Sequence, residues 1–134
     1  MKYLLDTDIC IFFLQGKYKI KDRIKKVGVE NCYISEITLA ELKYGVANSS
    51  NRIKHLGEVE KMEALFTVLP IYNALDEFAN EKSRLKKNGI LISDFDLLIG
   101  VTSITNNLIM VTNNVKHLQR IKQIKIENWK EMAL

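Results

Sequence analysis

Four carboxylates in this 134-residue chain stand in apolar company that does not suit a charge: Asp6, Glu41, Asp94 and Asp96. Asp6 follows the run Tyr3-Leu4-Leu5, Glu41 sits between Ala40 and Leu42, and Asp94 and Asp96 flank Phe95 ahead of Leu97-Leu98-Ile99. The other acids lie mostly on helix faces among lysines and need no such account. A carboxylate in apolar surroundings is costly unless a cation stands opposite it. Several converging on one place repel one another and raise their pKa values until a cation neutralises them. Oxygen ligands with no supporting His or Cys select hard ions, Mg2+ or Mn2+ over zinc. Such a site activates water and stabilises an anionic transition state, which is the chemistry of phosphodiester hydrolysis.

Each of these residues also has a structural reading. Asp6 could cap the helix that follows it, and Glu41 could face solvent. Ser93-Asp94-Phe95-Asp96 fits the capping box S-x-x-[DE], with Asp94 as a first-turn acid. Two residues apart on a helix, Asp94 and Asp96 point in separated directions and are not expected to bind one ion together. Asp8 falls in the first turn of the next helix, where the helix dipole favours an acid.

The elements that must position these groups alternate along the chain. Tyr3 to Leu5 reads as a buried strand, Asp8 to Leu14 as a short buried helix ended by Gly16, and Lys17 to Val27 as an amphipathic helix closed by Gly28. Cys32 to Ile34 is a strand. Ser35 caps a helix expected to stop at Gly45. Ile53 to Phe66 is a longer amphipathic helix, Thr67 to Leu69 a strand, and Ala74 to Asn88 another helix. Asp94 to Thr105 is a helix opened by Ser93, and Leu108 to Val111 reads as a central parallel strand. A weaker helix from Val115 and an edge strand at Ile124 to Ile126 close the series. Strands separated by helical crossovers predict a three-layer α/β fold on a mostly parallel sheet, with Asp6 at the edge where such sheets bind ligands.

Charge and composition narrow the function classes. Lys plus Arg number 20 against 16 Asp plus Glu, for a net charge of +4 and a pI near 9.0. Lys17 to Lys26 carries six basic residues and one acid, while Lys82 to Lys87 and Lys116 to Lys125 carry four each and no acid. Singly these read as solvated helix faces; together they would suit a polyanionic partner. Charges interrupt every apolar run before the length of a membrane span, and Asp6 and Asp8 break what would be the apolar part of a signal peptide. Cys10 and Cys32, with no metal-ligand spacing, read as buried reduced thiols of a cytoplasmic protein. His55 and His117 read as surface histidines, His117 near enough to the site for a phosphate contact. Trp129 reads as a packing anchor.

Taken together, LLDTDI at the N-terminus, ISEITLAELKYG, SDFDLLIG, and LIMVTNNVKHL followed by IKIENW resemble the PIN-domain ribonucleases. More narrowly, they resemble the VapC-type toxins of bacterial toxin–antitoxin pairs. The resemblance runs over essentially the whole chain in the family's order and spacing, and it implies one domain, residues 1–134, with a PIN-like α/β/α fold. It implies that Asp6, Glu41 and Asp96 are the catalytic acids and hold Mg2+ or Mn2+, directly or through water. The family's fourth position, often Asp or Asn, falls on Asn114 in Thr112-Asn113-Asn114. An asparagine brings no charge, so Asn114 would hold a metal-bound water or orient another ligand, and Thr112 would position substrate or water. Asp8 replaces a commoner Asn and is read as a helix cap. Asp94 lies outside the family position and has an auxiliary role at most.

The activity so implied is metal-dependent endonucleolytic cleavage of structured RNA, such as a tRNA or rRNA loop, at single-stranded sites. The partners implied are a homodimeric copy and a VapB-like antitoxin, in a heterotetramer or larger assembly. The antitoxin's C-terminal segment would block the acidic site from a groove, for which the helices at Tyr18–Val27 and Ile53–Phe66 are the candidates. Two rivals remain at this stage. One is a catalytically weak PIN-like module that binds RNA or antitoxin without cleavage, favoured by Asn114. The other is an aspartyl-phosphate phosphohydrolase, suggested by Asp6-Thr7-Asp8 after an apolar strand. Against it, Ile9-Cys10 stands where Gly-Thr would follow, and no later lysine motif is evident.

Overall fold

A computed structural model describes residues 1–133 of the chain. Five short strands form its centre: β1 (Tyr3–Leu5), β2 (Cys32–Ser35), β3 (Thr67–Leu69), β4 (Ile109–Val111) and β5 (Ile126–Glu127). They lie in the order β3-β2-β1-β4-β5, and every pairing is parallel, so the mostly parallel sheet expected is wholly parallel. Seven helices cover it: α1 (Thr7–Gln15), α2 (Ile20–Val27), α3 (Glu36–Ala47), α4 (Arg52–Leu65), α5 (Leu75–Lys87), α6 (Asp94–Thr105) and α7 (Val115–Leu118).

The strand side chains sort into two cores by the period of two that a pleated strand imposes. Tyr3, Leu5, Cys32, Ile34, Ile109 and Val111 pack on one face with α1, α2, α3 and α4. Leu4, Tyr33 and Met110 pack on the other with α5, α6 and α7. That is the three-layer arrangement the alternation of strands and helices predicts. Leu4, Leu5, Ile34 and Met110 are fully buried, and each such side chain stabilises the fold by about 2 kcal/mol. Cys10 and Cys32 are buried free thiols, and Trp129 is buried edge-on against Tyr3 with ring centroids 5.2 Å apart.

Several element ends differ from expectation for local reasons. Helix α3 runs through Gly45 to Ala47 and is capped at Asn48, because Gly45 keeps a helical backbone and the turn cluster 48–51 does the stopping. The helix expected from Lys17 begins at Ile20, since Tyr18 and Lys19 take φ 55° and form the turn after Gly16. A single 3-10 turn, Tyr72–Ala74, precedes α5. The edge strand sits at Ile126–Glu127, two residues later than expected at its start. Gly100 matters for close approach: a Cβ there would lie 2.3 Å from Ile121 Cδ1 and 3.1 Å from Leu118 Cδ1. Its absence lets α6 press against the chain from α7 to β5.

Candidate active site

The sheet order dictates where a site can form. From β1 the chain moves outward to β2 and β3, then returns to lay β4 on β1's other side, so the order reverses between β1 and β4. The crevice at the carboxyl ends of two such strands is where open α/β sheets bind ligands. Leu5 is level with Val111 across that pair, which sets Asp6 beside Thr112. The Asp6 amide donates to Val111 O at 2.9 Å, and the Thr112 hydroxyl donates to Asp6 Oδ2 at 2.7 Å. Asp6 Oδ1 accepts the Thr7 amide at 2.9 Å, so Asp6 is the N-cap of α1 while also standing at the crevice.

Asp8 and Asp96 face the same place. Burial, then the charge of Asp8, pushes the Asp6 pKa up to about 7, with Asp96 adding to the rise; the bonds from Thr112 and Thr7 oppose it. Asp8 is raised above the ordinary carboxylate range as well, first by burial and further by Asp96, while the amides of Asn113 and Ile9 pull it back. Asp6 holds the N-cap position and Asp8 caps beside it from the first turn, its Oδ1 accepting the Ile9 amide at 2.7 Å. Its other oxygen, Oδ2, accepts the Asn113 amide at 3.0 Å, tying α1 to the loop after β4. That loop is braced from behind by Asn128, whose side-chain amide donates to Asn113 Oδ1 at 3.1 Å. Asn114 donates its backbone amide to Thr112 Oγ1 at 2.9 Å, and its side-chain nitrogen lies 3.5 Å from Asp96 Oδ2. Ser93 caps α6 by accepting the Asp96 amide at 3.2 Å, which leaves the Asp96 carboxylate free for the crevice.

Asp94 and Glu41 are placed differently. Asp94 points out to an exposed ion pair with Lys82 at 2.9 Å, so the structure gives it no place in the cluster and corrects its auxiliary role. Its divergence from Asp96 is what their spacing on one helix predicts. Glu41 is half-buried and joins the site through a residue the sequence did not single out: the Thr7 hydroxyl donates to Glu41 Oε1 at 2.6 Å. Thr38 lies one turn before Glu41, with its hydroxyl oxygen 3.1 Å from that of Thr7. This polar residue on an otherwise apolar helix face, three positions ahead of an acid, was the available signal. Asp6, Asp8, Asp96, Thr112 and Asn114 therefore form one group, with Glu41 at its margin.

Among the described residues, Asp6, Asp8 and Asp96 have no cationic partner. Nor do any three His, Cys, Asp or Glu side chains stand close enough to grip one ion by themselves. An all-oxygen set with unneutralised charge and an incomplete cage fits an ion that keeps several waters and takes one or two carboxylates, as Mg2+ does.

A groove leads to this point across the opposite layer. One hollow of about 260 Å3 is walled by Thr7, Ile11, Leu14, Glu41, Val46 and Val59. It shares Leu14 and Glu58 with a second, which shares Phe13, Lys21 and Leu65 with a third of about 570 Å3 against α2. Helices α1, α2, α3 and α4 line the trench. His55 borders it, its Nδ1 2.5 Å from Ser49 Oγ. Among the described residues no helix is long and apolar enough to cross a membrane.

Comparison with known proteins agrees with this architecture. Ribonuclease VapC2 of Haemophilus influenzae is 32% identical over 133 residues, covering 96% of this chain and 98% of that protein. The tRNA(fMet)-specific endonuclease VapC of Salmonella typhimurium is 32% identical over 131 residues, with the same coverage of each chain. The crystal structure of VapBC2 from Rickettsia felis, bound to a DNA fragment from their promoter, superposes with a TM-score of 0.89 at 28% identity, covering 96% of this chain and 99% of that one. Residues 3–123 match the PIN domain, and with relatives of this closeness and coverage the chain belongs to the PIN-domain family, in its VapC ribonuclease branch.

Proposed function

We propose that this chain is a metal-dependent endoribonuclease, the toxin of a type II toxin–antitoxin pair, cleaving a structured RNA such as a tRNA or rRNA loop in the cytoplasm. The observation that carries the reading is the convergence of Asp6, Asp8 and Asp96 on the loop Thr112-Asn113-Asn114 at the β1/β4 crevice, with no cationic partner among the described residues. Asp6 and Asp96 are the residues that would hold Mg2+ or Mn2+, with Glu41 reaching it through water. When bound, such an ion polarises a phosphate oxygen and lowers the pKa of the attacking water. The protein's part is orientation. Thr112 and the Thr7 amide fix both oxygens of Asp6, and Asn113 fixes Asp8. Asn114 sits against Asp96, where its amide orients the carboxylate or a water. A scissile phosphate at the crevice would meet these groups at one edge of the sheet.

The deciding experiment incubates the purified chain with total tRNA and Mg2+ or Mn2+, beside Asp6→Asn, Asp96→Asn and a chelated control. Cleavage by the wild type alone supports the site; equal cleavage by the variants removes it. No cleavage of any RNA by the wild type would leave the binding module, which Asn114 and the incomplete cage favour. Trapping a phospho-aspartate would revive the phosphohydrolase reading instead. The trench beside Glu41 suits an antitoxin's apolar C-terminal segment, entering over α2 and α4 and ending at the acidic centre, in a dimeric toxin. Ile11→Asp is expected to weaken neutralisation by the cognate antitoxin at least about tenfold; unchanged neutralisation would place the antitoxin elsewhere.

A further inference from the structure

On the other layer from the trench, the chain holds a second cleft that the acidic centre does not use. It encloses about 650 Å3 between the end of α5 and the segment from α7 to β5. Its floor is apolar, from Val115, Ile121, Ile124 and Ile126, and its rim is basic, from Arg84, Arg120 and Lys122. The two acid-free stretches of the sequence, Lys82 to Lys87 and Lys116 to Lys125, meet here.

The two arginines are held in place rather than waving in solvent. Arg84 donates Nε and Nη2 to the two oxygens of Glu81 at 2.7 and 2.8 Å, and Nη2 also donates to Arg120 O at 2.8 Å. Arg120 donates Nη1 to Leu91 O at 3.2 Å. Glu81 is fully occupied, since its Oε2 also accepts the Lys122 amide at 2.6 Å. The other nitrogens of both guanidinium groups have no partner among the described residues, and neither has the Lys122 ammonium. A fixed guanidinium with donors to spare loses less entropy when it binds a phosphate than a free one does.

We propose that this cleft is a docking site for the phosphodiester backbone of RNA, through Arg120, Lys122 and the outer edge of Arg84. It rests on the ribonuclease reading above for its ligand class. The cleft begins at Val115, the residue after Asn114, so its near end adjoins the loop that carries the acidic centre. An acidic peptide would match the charge equally; the ribonuclease reading selects RNA, and the peptide is an outcome of the test.

The test separates binding from cleavage. Fluorescence anisotropy of labelled tRNA is titrated with the full chain carrying Asp6→Asn, in chelator, across a salt series. Adding Lys122→Glu is expected to weaken binding about tenfold and to reduce the slope of log K against log salt by about 0.7–0.9, the share of one phosphate contact. Gln119→Arg, a new cation on the same rim, is expected to tighten it several-fold. Lys26→Glu on exposed α2 carries the same charge change and is expected to do neither. Equal weakening by Lys26→Glu would mean diffuse attraction, and no weakening by Lys122→Glu would mean no contact; either overturns the proposal. Loss of polyglutamate binding with RNA binding intact would make this a protein surface and overturn it too. Cleavage by the wild type alongside Lys122-indifferent binding sinks the cleft alone. Lys122-dependent binding with no cleavage leaves the cleft standing and removes the nuclease.

Discussion

Asp6 and Glu81 are both carboxylates held by well-formed hydrogen bonds, and the protein treats them in opposite ways. Glu81 takes a guanidinium in two bonds and a backbone amide in a third, and its pKa falls below the usual carboxylate range, chiefly through Arg84. Asp6 takes a hydroxyl and an amide but no cation, stands near Asp8 and Asp96, and is pushed up to about 7. Hydrogen bonds alone do not offset burial of a charge when the neighbouring charges share its sign. Glu81 joins two segments of the fold. At Asp6 the protein forgoes stability and keeps an unmet demand for a cation at the sheet's ligand-binding edge.

The largest effect should come from removing the charge that carries this contrast. Asp6→Asn is expected to lower RNA cleavage at least about a hundredfold, the scale on which charged groups at a transition state act. Its folded state in chelator should be no less stable than the wild type, because the costly charge is gone. A comparable loss of thermal stability would make Asp6 a structural cap and nothing more. Next in size is Thr112→Val, which keeps the shape but deletes the hydroxyl that holds Asp6 ionised. Cleavage near pH 7 should fall roughly tenfold, and the acid limb of the pH–rate profile should move to higher pH. A uniform loss at every pH would mean that Thr112 acts only by packing.

Much of this contrast was legible beforehand, and the parts that were not share a cause. The Tyr3-Leu4-Leu5 run announces a buried strand, and a carboxylate right after it announces a crevice residue, because both signals are local. The full role of Asp8 is not local. Asp6 and Asp8 both precede or open the same helix and each accepts one of its first amides, but the second Asp8 oxygen goes to the Asn113 amide, 105 residues along the chain. Asp94 has the same difficulty: its partner Lys82 is on another helix. Thr7 gives no signal in the sequence, because a threonine between two acids has no periodicity to betray it. Its role depends on α3 bringing Glu41 alongside. Gly45 misled for a different reason, as glycine ends helices often but costs only about 1 kcal/mol inside one.

The smaller effects are thermal and have opposite pH dependence. Asp6 has a folded pKa raised from 3.8 to about 7, so between those values the folded state binds more protons than the unfolded one. Stability from this group therefore falls as pH rises through that window and stays low above it. In chelator the wild-type melting temperature should decline from about pH 4 to about pH 7 relative to Asp6→Asn, and Mn2+ should restore it at the upper end. Mn2+ without effect there would remove the cation from the account. Glu81 has a folded pKa below its ordinary value, so its contribution is present at neutral pH and is lost as pH falls through the folded value. Glu81→Gln keeps the shape and leaves Arg84 facing a neutral amide. It should lower the melting temperature by a few degrees at pH 7 and by less at a pH low enough to protonate Glu81, where the wild type has lost the pair as well. A deficit that is the same at both pH values would mean that Glu81 holds the two segments by shape, and that the ion pair on this side of the comparison contributes nothing.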